Sequence, residues 1–450
     1  MRKGIVIGEE KTFDMKSRIK GILLAAAVVL VGVCTFGIWQ KVQKDTEEEK
    51  TPETVTIRLF SNLPDRSIGQ GYVEQKIIDE YTRENPNIKI EVEALDEEAY
   101  KTKFKAYAID GMPDVVTVWG QQAFLSEILE AGILQELDLE NYQDYGFIEG
   151  SLEGFKRNGK LYGLPRNTDI SCFYYNEKLF RENSWEVPET YDELLELAEK
   201  IRQKGMIPVA MDGMDGWPLA QYFSGLVYEL NGDYLELIRK ATENGDFSDP
   251  VFKKAVQILQ KSSESGLFQE DYASQDYGTA KSLFTTGKAA MFYLGSWEAS
   301  MALDENIEPD IRENIRAFTM PQIAGGKAGK YDYSISHGGG YAVSAQSPVK
   351  EEAIKFLNYM FRPDKLAKYG WENGIGLAAQ DQTPYVTGRE TKLQQQFLSI
   401  LKEAKGRSGT VISAAGTSVY KSCIETNISN VAMGDMDIDT FLELIGKACR

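Results

Sequence analysis

An α/β fold in two lobes is what this sequence predicts, and three observations carry the reading. Val55, Ile57 and Leu59 alternate with Thr56 and Arg58, a strand period that returns at Ile88, Ile90 and Val92. Between them Val73, Ile77, Ile78 and Tyr81 follow helical spacing until Asn85-Pro86-Asn87 stops the run. A second helical stretch closes at Gly111 and Val115 to Val118 reads as a third strand, so the order is β-α-β-α-β and the sheet should be parallel and helix-covered. Size is the third observation: 450 residues, 42% of them hydrophobic, exceed one ordinary domain, and two lobes are the expectation.

Later elements keep the α/β character. Thr190 and Glu193 make a capping-box pattern for a helix with Tyr191, Leu194, Leu195, Ala198 and Ile201 on one face, ending at Gly205. Ser347-Pro348 opens another helix carrying Ala353, Leu357 and Met360, with Pro363 just beyond its end. No internal repeat or low-complexity tract follows residue 54.

The N-terminal region reads differently. Residues 1–20 form a basic leader with Lys16, Arg18 and Lys20, or a shorter one if translation starts at Met15. Gly21 to Trp39 is a long apolar run, and about 19 residues suffice to span a bilayer with the basic side cytoplasmic. A lipoprotein signal is the alternative, since Val31-Gly32-Val33-Cys34 loosely follows a lipobox that would acylate Cys34, although Val33 departs from the small residue expected there. Both readings anchor the chain at the cell membrane with its body on the extracytoplasmic face. Residues 40–53 are polar and charged and read as a linker.

Composition excludes several functions. A net charge of −18 repels nucleic acid and anionic membrane surfaces alike, while leaving a neutral ligand open. Four cysteines without CxxC spacing and the one histidine, His337, cannot build a histidine-rich metal site; a Cys423–Cys449 disulfide stays open. Gly325-Gly326-Lys327-Ala328-Gly329-Lys330 lacks the first glycine and the Ser/Thr of a phosphate loop, which leaves an exposed turn. Asp435, Asp437 and Asp439 resemble a calcium loop, but Thr440 stands where a sharp turn needs glycine, so Asp439 is expected to cap the last helix instead. No GxSxG elbow or HExxH pair is present. Neither a cofactor nor an enzyme is expected, with a glycosidase carboxylate pair as the remaining catalytic alternative.

A resemblance sharpens this. Gly111-Met112-Pro113-Asp114-Val115-Val116-Thr117-Val118-Trp119, Asn158 to Pro165, Phe173-Tyr174-Tyr175-Asn176-Glu177-Lys178-Leu179-Phe180, Phe284 to Met291, Gly295-Ser296-Trp297 and Gly339 to Val343 occur in the order found in family 1 extracellular solute-binding proteins. Over residues 55 to 445 the chain resembles that family, whose maltose-binding-protein-like members capture sugars for ABC importers. The resemblance implies a type II periplasmic-binding-protein-like fold with an inter-lobe ligand cleft. It implies one lobe of residues 54–166 and 319–368, another of 167–318 and 369–450, and crossings near Pro165, Phe318 and Gly370. The implied partners are a mono- or oligosaccharide and an ABC permease, with the protein a monomer; a sensor of the same fold is the alternative.

Sugars present apolar C–H faces and hydroxyl edges, so their site needs aromatic platforms with polar side chains around them. Open α/β sheets bind ligands beyond the carboxyl ends of their strands, which selects Ser61, Asn62, Asp65 and Arg66 after the first strand and Trp119, Gln121 and Gln122 after the third. Turn capping around Pro64 is the alternative for Asn62 and Asp65, and core packing for Trp119. By resemblance Trp297 stacks on a ring, and Glu298 accepts from hydroxyls beside it. Thr168 and Asp169 lie at the first crossing, with satisfaction of backbone amides the alternative for Asp169. Trp217 lies in a loop and Trp371 near the third crossing, with core packing the alternative for both. Gly339 lets backbone approach the ligand or makes a tight strand entry. Tyr174 and Tyr175 should face opposite sides of a strand as packing residues.

Overall fold

The structure, a computed structural model, describes residues 54–232, 234–376 and 378–450. The expected leader, the apolar run 21–39 with Cys34, and the linker lie outside them. No helix among the described residues is long and apolar enough to cross a membrane.

The first sheet has the predicted opening. Strand β1 (Val55–Ser61), helix α1 (Gly69–Glu84), β2 (Ile88–Ala94), α2 (Glu97–Asp110) and β3 (Val115–Trp119) follow one another, and β1 pairs in parallel with β2 on one side and β3 on the other. Every residue of β3 is buried, as a central strand covered on both faces requires. A helix α3 (Gln122–Glu130) follows. Two strands from later in the chain complete the order β2-β1-β3-β10-β4: β4 (Leu164–Pro165), and β10 (Gly339–Val343), which runs antiparallel to β3 with Gly339 opposite Trp119. Pro165 has no N–H to donate, which suits its place on the edge strand.

The second sheet is built on β5 (Thr168–Asn176), with β6 (Ile207–Ala210), β7 (Ala289–Gly295) and β8 (Ile315–Phe318) in the order β8-β5-β7-β6. Helices α4 (Tyr191–Gln203), α5 (Trp217–Asn231) and α6 (Tyr277–Thr285) come from the segments between these strands. Strand β9 (Ile335–His337) pairs with the start of β5. Alternation along β5 sends Phe173 and Tyr175 into one buried core and Cys172 and Tyr174 into another, so the two tyrosines are packing residues on opposite faces.

Contrary to expectation, the chain does not leave this sheet at Phe318. Met320, Ile323 and Ala328 pack into its core and β9 hydrogen-bonds to β5, so the return to the first sheet falls at Gly338. The last crossing is also later than Gly370: helix α7 (Lys350–Met360) and helix α8 (Leu366–Glu372) belong with the first core through Leu357, Leu366 and Ile375, whereas helix α9 (Lys392–Glu403) sends Leu393 and Phe397 into the second.

Local signals resolve as follows. The Thr190–Glu193 capping box forms at the start of α4, with Glu193 N–H donating to Thr190 Oγ1 at 3.3 Å and Thr190 N–H to Glu193 Oε2 at 3.2 Å. The final helix (Ile438–Ala448) is capped by Asp437 rather than Asp439, because a cap must reach the N–H three residues on: Thr440 N–H donates to Asp437 at 3.0 Å. Asp439 instead pairs with Lys253 at 2.7 Å. Cys423 and Cys449 are free thiols. The glycine-rich run at Gly325 is a turn, closed by Gly326 N–H donating to Ile323 O at 2.8 Å.

Candidate functional site

A cleft of about 1420 Å³ opens between the carboxyl ends of β1 and β3 on one side and β7 with its neighbouring helices on the other. Asn62, Asp65, Trp119, Gln121, Asp169, Trp217, Trp297, Glu298 and Gly339 all line it. Five expected residues do not. Ser61 is buried and donates to Glu74 at 3.0 Å, and Gln122 faces a second cavity. Arg66 turns away to an ion pair with Glu74 and a 3.0 Å hydrogen bond to Gln75 Oε1. Thr168 lies on the opposite side of β5 from Asp169, and Trp371, on α8, donates its indole N–H to Glu390 at 3.3 Å; both line that second cavity.

The aromatic part of the cleft is a cluster of three rings. Trp217, the first residue of α5 rather than a loop residue, packs on Trp297 with centroids 6.0 Å apart and on Tyr277 at 5.9 Å. Trp297 donates its indole N–H to the Tyr277 hydroxyl at 3.0 Å. That hydroxyl donates in turn to Glu298, and Lys281 pairs with the other Glu298 oxygen at 2.7 Å. The Glu298 charge raises the Lys281 pKa, while burial and Glu298 together raise that of the Tyr277 phenol. Both groups are therefore fixed in one protonation state near neutral pH, and the indole is held by its N–H.

Each residue of Gly295-Ser296-Trp297 has a local task. The Trp297 ring folds back over residue 295, where a Cβ would sit 1.8 Å from a ring carbon, so only glycine fits. Ser296 Oγ accepts from Ile170 N–H at 3.1 Å and donates to Asp169 at 3.0 Å. Asp169 is buried and also accepts from Asn167. Burial pushes its carboxyl up to about 7 despite Ser296 and the nearby Arg166.

The first-sheet wall is organised by a buried carboxylate. Glu74 accepts from Ser61 Oγ at 3.0 Å and from the Tyr341 hydroxyl, and Arg166 donates to that hydroxyl at 3.3 Å. Arg66 compensates Glu74 from the outside, so it acts on the cleft at one remove. A Cβ on Gly339 would lie 2.8 Å from the Arg166 guanidinium, which explains the glycine there. Asp65 is exposed and makes a turn, accepting from Ser67 N–H at 2.9 Å and Ser67 Oγ at 2.6 Å. Trp119 packs edge-on to Tyr100 and Phe124 and still borders the cleft, so core and cleft roles coincide.

Four buried polar atoms of lining residues have no hydrogen-bond partner among the described residues: Asn62 Oδ1, Gln70 Nε2, Arg166 Nε and Asn167 Oδ1. Buried polar groups are otherwise almost always satisfied, so these donors and acceptors beside three aromatic rings are free to form hydrogen bonds with a polar group entering the cleft. Sequence reasoning misses Arg166, Asn167, Tyr277 and Lys281. The first two adjoin Pro165 at the expected crossing, a usable signal; the last two lie on α6 ahead of the Phe284–Met291 motif and gain their place only through Trp297 and Glu298. Replacing Tyr277 with Phe should remove the acceptor for the indole N–H and cost about 1 kcal/mol of ligand affinity, roughly fivefold, read by calorimetric titration.

The family model for bacterial extracellular solute-binding proteins matches residues 76–378. The chain belongs to this family. Membership puts the folded body of this solute-binding protein on the extracytoplasmic side. The multiple sugar-binding protein of Streptococcus mutans serotype c is 28% identical over 344 residues, covering 75% of this chain and 78% of the relative. The galactooligosaccharide-binding protein of Bacillus subtilis is 25% identical over 281 residues, or 58% and 61% of the two chains. Among solved structures, a protein from a study of xylan utilization by Caldanaerobius polysaccharolyticus superposes with a TM-score of 0.79 at 25% identity, over 87% of this solute-binding protein and 99% of the neighbour. A chitin oligosaccharide binding protein superposes with a TM-score of 0.77 at 22% identity, over 88% and 98%. Three of these four are named for binding a sugar or an oligosaccharide.

Proposed function

We propose that this solute-binding protein captures a carbohydrate in the cleft and delivers it to an ABC permease in the membrane. The observation that carries the reading is the juxtaposition of Trp217, Tyr277 and Trp297 with the unpartnered polar atoms of Asn62, Arg166 and Asn167. Ring faces take the sugar C–H groups and the polar atoms take its hydroxyls. The sugar-binding names of the relatives in Streptococcus mutans and Bacillus subtilis support the same ligand class.

Ligand entry requires the lobes to swing apart about the crossing segments. Sheet membership supports a first lobe of residues 54–166 and 338–382 and a second of 167–337 and 383–450. Lining residues also approach one another across the cleft, where Ser418 donates to Glu127 and a Cβ on Gly69 would lie 3.0 Å from Ser300 Oγ. The body is a monomer held at the membrane by the apolar run 21–39, either as an uncleaved helix or through acylated Cys34. Mass spectrometry of the membrane-extracted chain distinguishes them, since a diacylglycerol mass on Cys34 eliminates the helix.

A thermal-shift screen of the full-length chain against neutral mono- and oligosaccharides tests the function. A specific sugar present at 100 times its Kd should stabilise the fold by about 2.7 kcal/mol and raise the Tm. A broad screen that leaves both Tm and Trp fluorescence unchanged overturns the carbohydrate assignment. Retained sugar uptake after deletion of the protein points to a sensor rather than an importer subunit.

A further inference from the structure

A second cavity of about 1110 Å³ lies behind the crossing segments, and adjacent residues divide between it and the cleft. Gln121 and Asp169 line the cleft, whereas Gly120, Gln122, Thr168 and Ile170 line the rear cavity. In β5 this is strand alternation, with successive side chains facing opposite sides. The two spaces therefore stand back to back.

The rear cavity has its own unsatisfied chemistry. Ser151 Oγ, Thr168 Oγ1 and Gln380 Oε1 are buried there without a hydrogen-bond partner among the described residues. Ser151 and Gln380 are 5% and 1% exposed. Gln380 cannot turn its amide to relieve this, because its Nε2 already donates to Tyr145 O and Phe361 O, each at 2.7 Å. Oε1 is therefore left free to accept a hydroxyl donor. Arg157 donates from Nη1 to two backbone carbonyls and forms no ion pair among the described residues, leaving guanidinium donors for a ligand acceptor. Trp371, Tyr333 and Ile170 add apolar wall. Five carboxylates and three guanidiniums border the space, a balance that disfavours an anion.

We propose that the rear cavity is a second ligand site, taking a neutral polyhydroxylated molecule of mono- or disaccharide size. Its hydroxyls donate to Gln380 Oε1 and exchange hydrogen bonds with Ser151 and Thr168, while its C–H faces meet the apolar wall.

The test uses the full-length chain and its Trp297→Ala variant, titrated calorimetrically with glucose, xylose and maltose, with inorganic phosphate as the contrasting probe. At least one sugar should bind the Trp297→Ala chain, and Ser151→Ala combined with Thr168→Val should weaken that event at least tenfold. Both substitutions remove buried hydroxyls that lack partners, so the ligand-free melting temperature should hold or rise, which separates lost binding from lost folding. Absence of any sugar binding to the Trp297→Ala chain overturns the proposal. So does a binding event that the rear double variant leaves unchanged, or one that phosphate displaces. Trp297→Ala weakens the cleft while Trp217 and Tyr277 remain, so the rear double variant is what assigns the event. Failure here beside a sugar response of the full-length chain leaves the carbohydrate reading of the cleft standing, whereas a full-length screen with no response overturns both readings.

Discussion

Replacing Trp297 with Ala should weaken sugar binding in the cleft by about 1 to 3 kcal/mol, roughly 5- to 150-fold, the usual cost of truncating an aromatic anchor in a binding site. The indole borders the cleft and leans on Trp217 at 6.0 Å. It is half-buried rather than enclosed. Loss of fold stability should accordingly stay below the roughly 3 to 5 kcal/mol that a fully packed core Trp costs. Phe at this position restores a face for C–H contact without the N–H that Tyr277 accepts, and should recover part of the affinity. Calorimetric titration gives the affinities and urea unfolding the stabilities. Unchanged affinity with a large loss of stability makes Trp297 structural, and a Phe variant no better than Ala removes stacking as the mechanism.

What the sequence makes legible here follows from the range of the forces involved. The β-α-β-α-β opening is written in local periodicity, and all three strands and both helices form where the apolar spacing puts them. Gly295-Ser296-Trp297 is equally local, because the glycine is required by a ring two residues away. The crossings are misplaced for the opposite reason. Nothing within 319–337 reveals that β9 will pair with β5, since the partner lies far earlier in the chain, Ile170 opposite Ile335, and the pairing is decided by backbone geometry. Arg66 shows a similar limit: its position after β1 is right for a cleft residue, but a buried carboxylate on the next helix claims the guanidinium. Thr168 and Asp169 show how fine the resolution must be, as a one-residue step along a strand moves a side chain from the cleft to the rear cavity.

Stability should fall as pH rises from about 4 to about 9, and Asp169→Asn should remove part of that fall. Burial raises Asp169 from 3.8 to about 7, Asp212 from 3.8 to about 8 and Glu229 from 4.5 to about 9. A folded state with raised carboxyl pKa values binds more protons than the unfolded chain between the two sets of values. The stabilising contribution is thus fully present below the unfolded pKa values and is lost as pH rises through the folded ones. A gap of one pH unit between folded and unfolded pKa is worth about 1.4 kcal/mol, so Asp169 alone accounts for roughly 2 to 4 kcal/mol between pH 4 and pH 8. An Asn at 169 carries no charge to desolvate and keeps a carbonyl oxygen for the Ser296 hydroxyl. Its new amide N–H needs an acceptor, and Asn167 Oδ1, unpartnered among the described residues, supplies one if the Asn167 amide turns over. The variant should therefore be more stable than the natural chain at pH 8 and indistinguishable from it at pH 4, measured by urea unfolding at each pH. Equal destabilisation at both values means that Asp169 is held ionised by its neighbours, and its charge is then part of what the hinge is built around.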